Sequence, residues 1–186
     1  MRILILIAIT GASGIVIAEK LLEVLMSKDI KTELIISKSA EVVISSETDR
    51  KIKEIQQLTT KSYDVDDLTA PPASGSYKIE AMIIVPCTMK TLAAIANGYS
   101  DNLITRAADV AIKEKRKLIL IVRESPLSPI HLENMLKLAN LGVVIAPPVP
   151  SYYIKPKSVD DLINHTVGRI LDQIGIESGI KRWGDE

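Results

Sequence analysis

Hydroxyls, glycines and cations gather at four points where an apolar run gives way to helical spacing: Thr10–Gly14 (TGASG), Ser37–Ser39 (SKS), Pro86–Thr91 (PCTMKT) and Arg123–Leu127 (RESPL). The first is a candidate anion seat. Gly11 and Gly14 permit a tight turn and close backbone approach, and a helix opening there leaves N–H groups free for a phosphate. The sequence therefore predicts a phosphorylated cofactor at Thr10–Gly14, with a plain strand-to-helix turn as the alternative. Two features argue against a dinucleotide: the turn lacks the full G-x-G-x-x-G spacing, and Ser37-Lys38 supplies no carboxylate for a ribose hydroxyl. The absence of G-x-x-x-x-G-K-[ST] argues against nucleoside triphosphate hydrolysis.

Ser37 stands where a hydroxyl could meet a ribityl chain or a phosphate, or simply cap the next helix. Thr88 and Thr91 place hydroxyls at another helix start and Lys90 adds charge, so this junction reads as a seat for an anion or heterocycle, or as a capped helix with a solvated lysine. Cys87 has no histidine near it in sequence and reads as a packing residue. Arg106 and Lys113 lie seven apart, two turns along one helical face, where they could hold a phosphate or form a solvated charged face with Glu114. Arg123 and Glu124 follow the apolar run Leu118–Val122. A charged pair at the end of a central strand is costly unless used or paired. Arg123 can fork onto a phosphate or heteroatom, and Glu124 can act as acid or base if burial raises its pKa. An Arg–Glu structural pair is the alternative. His131 and His165 share no metal-ligand spacing and read as structural, so no metal site is expected.

The elements that position these residues alternate between strand and helix. Arg2–Ile9, Thr32–Ser37, Ala81–Val85, Leu118–Val122 and Val143–Ile145 read as strands, with Pro86 ending the third. Ile15–Lys28, Ala40–Ser46, Thr88–Ala96, Asn102–Lys115, Ser128–Asn140 and Val159–Ile174 read as helices, Ser128-Pro129 being an N-cap and first helical residue. Glu47–Thr60 is polar and ambiguous, and Ser62–Ser76 is loop-like. Strands joined by helical crossovers imply a doubly wound parallel sheet, whose ligands bind beyond the carboxyl ends of its strands. The 186 residues fit one domain, taken as 1–176 with a tail at 177–186. The 23 basic and 23 acidic residues cancel, which leaves no electrostatic footprint for nucleic acid or an anionic membrane. The single cysteine excludes an internal disulfide and fits a reducing, cytoplasmic setting. The early apolar run Ile3–Ile9 is too short to span a bilayer.

Taken together, TGASG at 10–14, ISKSA at 36–40, APPASGS at 70–76, PCTMKTLAAIANG at 86–98, DNLITRAADVAIKEKR at 101–116, RESPL at 123–127, HLENMLKL at 131–138, PPVPSYY at 147–153 and the late Gly168-Arg169-Ile-Leu-Asp172 resemble the UbiX-type flavin prenyltransferase family. They cover most of the chain in the family's order. The resemblance implies a flavodoxin-like Rossmann fold, a three-layer α/β/α arrangement, holding FMN. It implies transfer of a dimethylallyl group from dimethylallyl phosphate to N5 of reduced FMN, with ring closure at C6, independently of metal. The product would serve UbiD-type decarboxylases, a flavin reductase would supply the reduced flavin, and the chain would assemble as a homododecamer with sites at subunit interfaces.

By motif position, the resemblance implies that Gly11, Ala12, Ser13, Ser37, Thr88, Met89, Lys90, Thr91 and Arg123 contact FMN. Arg106, Lys113, Tyr153 and Arg169 would grip the prenyl phosphate. Ser13, Glu47 and Glu124 would assist proton transfers, and Lys113 is placed with them among the catalytic residues. Tyr153 and Arg169 look remote from the strand ends, so a neighbouring subunit would supply them. Tyr152 stands where the family commonly has Phe, and Thr88 where Ser is frequent. Two other readings share the flavin. A flavoprotein cysteine decarboxylase would carry an Asn in a Pro-Ala-Ser-Ala-Asn-Thr type motif, where this chain has Pro72-Ala-Ser-Gly-Ser76. A passive FMN-binding subunit would not need a second set of cations.

Overall fold

The computed structural model describes residues 3–184. Met1, Arg2, Asp185 and Glu186 fall outside them, and with them the first residue of the expected first strand and the two ends of the expected domain and tail. Six parallel strands, Leu4–Ile9 (β1), Lys31–Ile36 (β2), Lys61–Tyr63 (β3), Ala81–Cys87 (β4), Lys117–Val122 (β5) and Val144–Ile145 (β6), form one sheet in the order β3-β2-β1-β4-β5-β6. The order reverses at β1, whose neighbours are β2 and β4. Helices Ile15–Ser27 (α1), Lys38–Glu47 (α2), Ile52–Gln56 (α3), Met89–Ala96 (α4), Leu103–Lys113 (α5), Pro129–Asn140 (α6) and Val159–Gln173 (α7) complete the chain.

The two-residue period of a strand sorts the apolar run of β1 onto two faces. Leu6 and Ala8 join residues of α4, α5 and α6 in one core, whereas Ile5, Ile7 and Ile9 join residues of α1, α2, α3 and α7 in the other. Both cores are almost wholly aliphatic, as a chain without phenylalanine requires. The result is the expected doubly wound, three-layer α/β/α arrangement.

Two sequence expectations are corrected, and one ambiguous stretch is settled. Ser62 and Tyr63, expected to open a loop-like stretch, belong with Lys61 to a short edge strand paired with Glu33–Ile35. Its polar sequence carries no apolar run because an edge strand needs few buried side chains, and Lys61 guards the open edge. Pro86 does not end β4: the strand reaches Cys87, which pairs with Val122 after a register irregularity beginning at Ile84. A proline is admissible there because the ladder is already interrupted. The polar stretch after Glu47 holds the one-and-a-half-turn helix α3, pinned by buried Ile55.

Residues after α7 fold back on it. Ile176 packs against the second core, and Arg182 forks onto Asp172 through two 2.8 Å bonds. Among the described residues, no helix is long and apolar enough to cross a membrane.

Candidate functional site

The four junctions converge at the carboxyl ends of β1, β2, β4 and β5, where the strand order reverses. A buried threonine ties two of them together. The Thr10 hydroxyl donates to the Pro86 carbonyl at 2.8 Å and accepts from the Thr88 N–H at 2.9 Å, while the Thr10 N–H also reaches the Pro86 carbonyl at 3.2 Å. Sequence reading placed Thr10 in the first motif but gave it no task of its own. Its role depends on a partner 78 residues away, which no local pattern reports.

Gly11 is demanded by close packing. A Cβ there would fall 2.5 Å from Ser39 Oγ and 2.9 Å from the Ser39 carbonyl carbon, so the turn after β1 rests directly on the junction after β2. Gly14 has φ 108°, a left-handed conformation open to glycine at little cost, and it opens α1 without a side-chain cap of its own.

The start of α1 is not the free anion seat that the sequence suggests. Glu47, at the end of α2, supplies the missing cap: its Oε2 accepts from the Gly14 N–H at 2.9 Å and the Ile15 N–H at 3.1 Å. Burial pushes the Glu47 carboxyl upward, but hydrogen bonds from the Ser13 hydroxyl, Gly14 and Ile15, with the nearby charge of Arg123, outweigh it and leave the pKa below 4.5. Glu47 is therefore an anion at neutral pH. A carboxylate already at the helix N-terminus repels a second anion from those N–H groups.

Open N–H groups remain at the neighbouring helices. Ser37 caps α2, accepting from the Ala40 N–H at 3.1 Å and sharing a 3.1 Å hydroxyl contact with Ser39. Thr88 caps α4, accepting from the Thr91 N–H at 3.2 Å and donating to the Thr91 hydroxyl at 3.0 Å. The first-turn N–H groups of Lys38 and Ser39 on α2, and of Met89 and Lys90 on α4, point out of helices whose ladders begin later. These hydroxyls and N–H groups suit a phosphorylated polyol, and the backbone at Gly11–Ser13 has no bulky side chain to exclude a flat ring. The residues present thus fit FMN. Met89 packs partly buried against the first core. Cys87 is wholly buried, and burial drives its thiol pKa strongly upward, which suits packing and not nucleophilic attack.

Other expected residues stand differently. Lys90 is 73% exposed and pairs with Asp101 at 3.6 Å, so its charge is turned to the surface. Arg123 and Glu124 are both exposed, because β5 ends at Val122 and the chain leaves the sheet there. The expected burial of this pair does not occur within one chain. Nor do the two form an Arg–Glu pair: the Glu124 carboxylate instead accepts from the Ser125 N–H at 3.0 Å.

Arg106 and Lys113 do share one face of α5, directed at the loop around residues 70–77. Arg106 Nε donates to the Ala73 carbonyl at 3.1 Å and its guanidinium meets Asp109 at 2.9 Å, while Lys113 pairs with Glu114 beside Gly75. Arg116 fixes the same loop through the Gly75 and Tyr77 carbonyls, at 2.6 and 2.7 Å.

Tyr153 lies in a short 3-10 turn, Tyr152–Ile154, with its hydroxyl 2.9 Å from His165 Nε2. Arg169, one turn further along α7, reaches Asp172 at 2.8 Å and remains 57% exposed. Neither joins the group around Ser13, Glu47 and Arg123 through a hydrogen bond or ion pair within the described residues. His131 Nδ1 accepts from the Ser128 N–H at 3.2 Å and completes a helix cap. Among the described residues, no group of three or more histidine, cysteine or acidic side chains could hold a metal ion.

Comparison with known proteins supplies the context for this geometry. The Flavoprotein family model matches residues 2–171. The chain is 55% identical over 181 residues to the flavin prenyltransferase UbiX of Methanocaldococcus jannaschii, covering 97% of this chain and 98% of that one. Among solved structures, AnUbiX (PadA1) in complex with FMN and dimethylallyl pyrophosphate superposes with a TM-score of 0.98 at 45% identity, covering all of both chains. A dodecameric FMN-dependent UbiX-like decarboxylase from Escherichia coli O157:H7 gives 0.96 at 43% identity, covering 98% of this chain and 100% of the other.

Proposed function

Because the chain belongs to the Flavoprotein family and, within it, to the flavin prenyltransferases, we propose that it transfers a dimethylallyl group from dimethylallyl phosphate to N5 and C6 of reduced FMN, making a prenylated flavin. The observation that carries this reading is the Glu47 carboxylate held on the Gly14 and Ile15 N–H groups at the sheet's reversal point, beside the hydroxyl-lined starts of α2 and α4. Reduced FMN supplies the nucleophilic N5 and C6.

The chain's own residues divide the remaining work. Ser37, Thr88 and Thr91, with the first-turn N–H groups of α2 and α4, hold the phosphoribityl portion, and the backbone of Gly11, Ala12 and Ser13 lies against the flat ring. Met89 and Lys90 contribute through their backbone, and Arg123 lies beside the ring. Arg106, Lys113, Tyr153 and Arg169 stabilise the negative charge that grows on the departing phosphate as the allylic C–O bond breaks. Glu47 is ionised and so serves as a proton acceptor through the Ser13 hydroxyl. Glu124 exchanges protons near the flavin once a neighbouring subunit covers it.

The assembly expected is a homododecamer, as in the Escherichia coli relative. Several large apolar side chains support self-association: Ile130, Leu132 and Leu136 on α6, with Val149 and Tyr152, are all more than half exposed in the single chain. Assembly would bring Tyr153 and Arg169 of one subunit, or Arg106 and Lys113 of another, to the Ser13–Glu47–Arg123 group. A UbiD-type decarboxylase would receive the product and a flavin reductase would supply FMNH2. The balance of 23 basic and 23 acidic residues suits a cytoplasmic protein with neither nucleic acid nor membrane as a ligand.

The experiment is anaerobic incubation of the protein with reduced FMN and dimethylallyl phosphate, followed by mass spectrometry of the flavin. A gain of one prenyl unit is expected. An unchanged flavin on folded, FMN-loaded protein refutes the reading.

A further inference from the structure

Arg169 and His165 stand one turn apart on α7 and line the same cavity of 290 Å³, together with Ser151 and residues of β6. His165 is only 5% exposed, between Asn164 and Thr166, and its Nε2 lies 2.9 Å from the Tyr153 hydroxyl. The Tyr153 ring is held edge-on from two sides. The His165 ring is 5.5 Å away at 86° and the Trp183 ring, from the segment that folds back over α7, is 5.3 Å away at 84°. Such T-shaped contacts favour one ring orientation. The hydroxyl, by contrast, has His165 as its one hydrogen-bond partner among the described residues.

A phenol has one proton to donate. If Tyr153 gave it to His165, none would remain for a substrate oxygen. If His165 is the donor, in the tautomer that carries its proton on Nε2, the Tyr153 oxygen accepts that bond and its own proton is free. Accepting one hydrogen bond also polarises the phenol and strengthens the bond it donates.

We propose that His165 is a positioning residue: it donates from Nε2 to the Tyr153 hydroxyl, which turns the Tyr153 proton outward, to act beside the Arg169 guanidinium on the phosphate of the prenyl donor. The inference rests on the reading of Tyr153 as a phosphate donor, and it adds why a histidine without metal spacing is buried on α7.

The test is a double-mutant cycle of His165→Leu and Tyr153→Phe. Two quantities are read: the Kd of dimethylallyl phosphate, by calorimetry on protein saturated with oxidised FMN, and KM against kcat in the prenylation assay. His165→Leu raises Kd and KM about five- to tenfold, the loss of roughly one hydrogen bond, while FMN affinity is unchanged. His165→Gln, whose amide can still donate near the Nε2 position, recovers most of the loss. On the Tyr153→Phe background, His165→Leu adds nothing.

Additive effects in the cycle, or equal losses in the Leu and Gln variants, overturn the positioning role and leave Tyr153 as a phosphate donor intact. A Tyr153→Phe variant with unaltered Kd overturns the reading of Tyr153 itself, and the role of His165 with it. Should His165→Leu fail to fold or to retain FMN, His165→Asn, whose amide falls short of the Tyr153 hydroxyl, takes its place in the cycle with the same expected outcomes.

Discussion

Replacing Thr10 by valine tests whether the hydroxyl between β1 and β4 sets the geometry of the flavin seat. The side chain is 2% exposed, and valine reproduces its shape while deleting a donor and an acceptor. The Pro86 carbonyl keeps a partner, because the Thr10 N–H still reaches it at 3.2 Å. The Thr88 N–H keeps none, since the Thr10 hydroxyl is what it donates to. The lost hydrogen bond costs about 1 kcal/mol and the orphaned donor about 1–3 kcal/mol. The extra buried methyl offsets about 0.8 kcal/mol of this. A net destabilisation of about 1–3 kcal/mol follows from those terms.

Relief of the orphaned donor requires Thr88 to turn away, and Thr88 opens the helix whose first N–H groups face the cofactor. FMN affinity therefore falls about tenfold, the equivalent of about 1.4 kcal/mol. The measurements are urea unfolding at matched subunit concentration, because self-association contributes to apparent stability, and FMN titration by flavin fluorescence. Thr10→Ser keeps the hydroxyl and loses only a methyl, so it should bind FMN like the wild type. A Thr10→Val protein within about 0.5 kcal/mol of wild type, with unaltered FMN affinity, refutes the reasoning.

Glu47→Gln removes the anion from the start of α1. The folded-state pKa is lowered below 4.5, so the stabilisation is complete above the unfolded-state pKa and is lost as pH falls through the folded value. The stability gap between wild type and Glu47→Gln, about 1 kcal/mol after allowance for solvent screening, should be constant from pH 7 to about 5.5 and narrow below pH 4.5. A gap that widens on acidification contradicts the assignment. Gly11→Ala drives a Cβ into Ser39 backbone and side chain and should cost about 1–3 kcal/mol, read as a lower urea midpoint with weakened FMN binding. Glu124→Gln should retain FMN and slow prenylation about a hundredfold or more. Loss of FMN with normal turnover per bound flavin would deny it the proton-transfer role.

The alternation of apolar runs with helical spacing was sufficient for the architecture, because central parallel strands are buried on both faces and each must be covered by crossover helices. Helix caps at Ser37, Thr88 and Ser128 were equally legible, since a cap is a bond between residues three apart. The edge strand at Lys61–Tyr63 was not, because it buries too little to need an apolar pattern. The TGASG motif marked the turn after β1 but not what occupies its helix start. Only the tertiary structure brings Glu47 back onto Gly14 and Ile15, so that the helix start that looked open to phosphate already holds a carboxylate. Thr10 on Pro86 and Thr88, and His165 on Tyr153, were hidden for related reasons. Hydrogen-bond partners far apart in the chain leave no periodicity to read, and whether a side chain is spare or already engaged is a property of the folded surroundings.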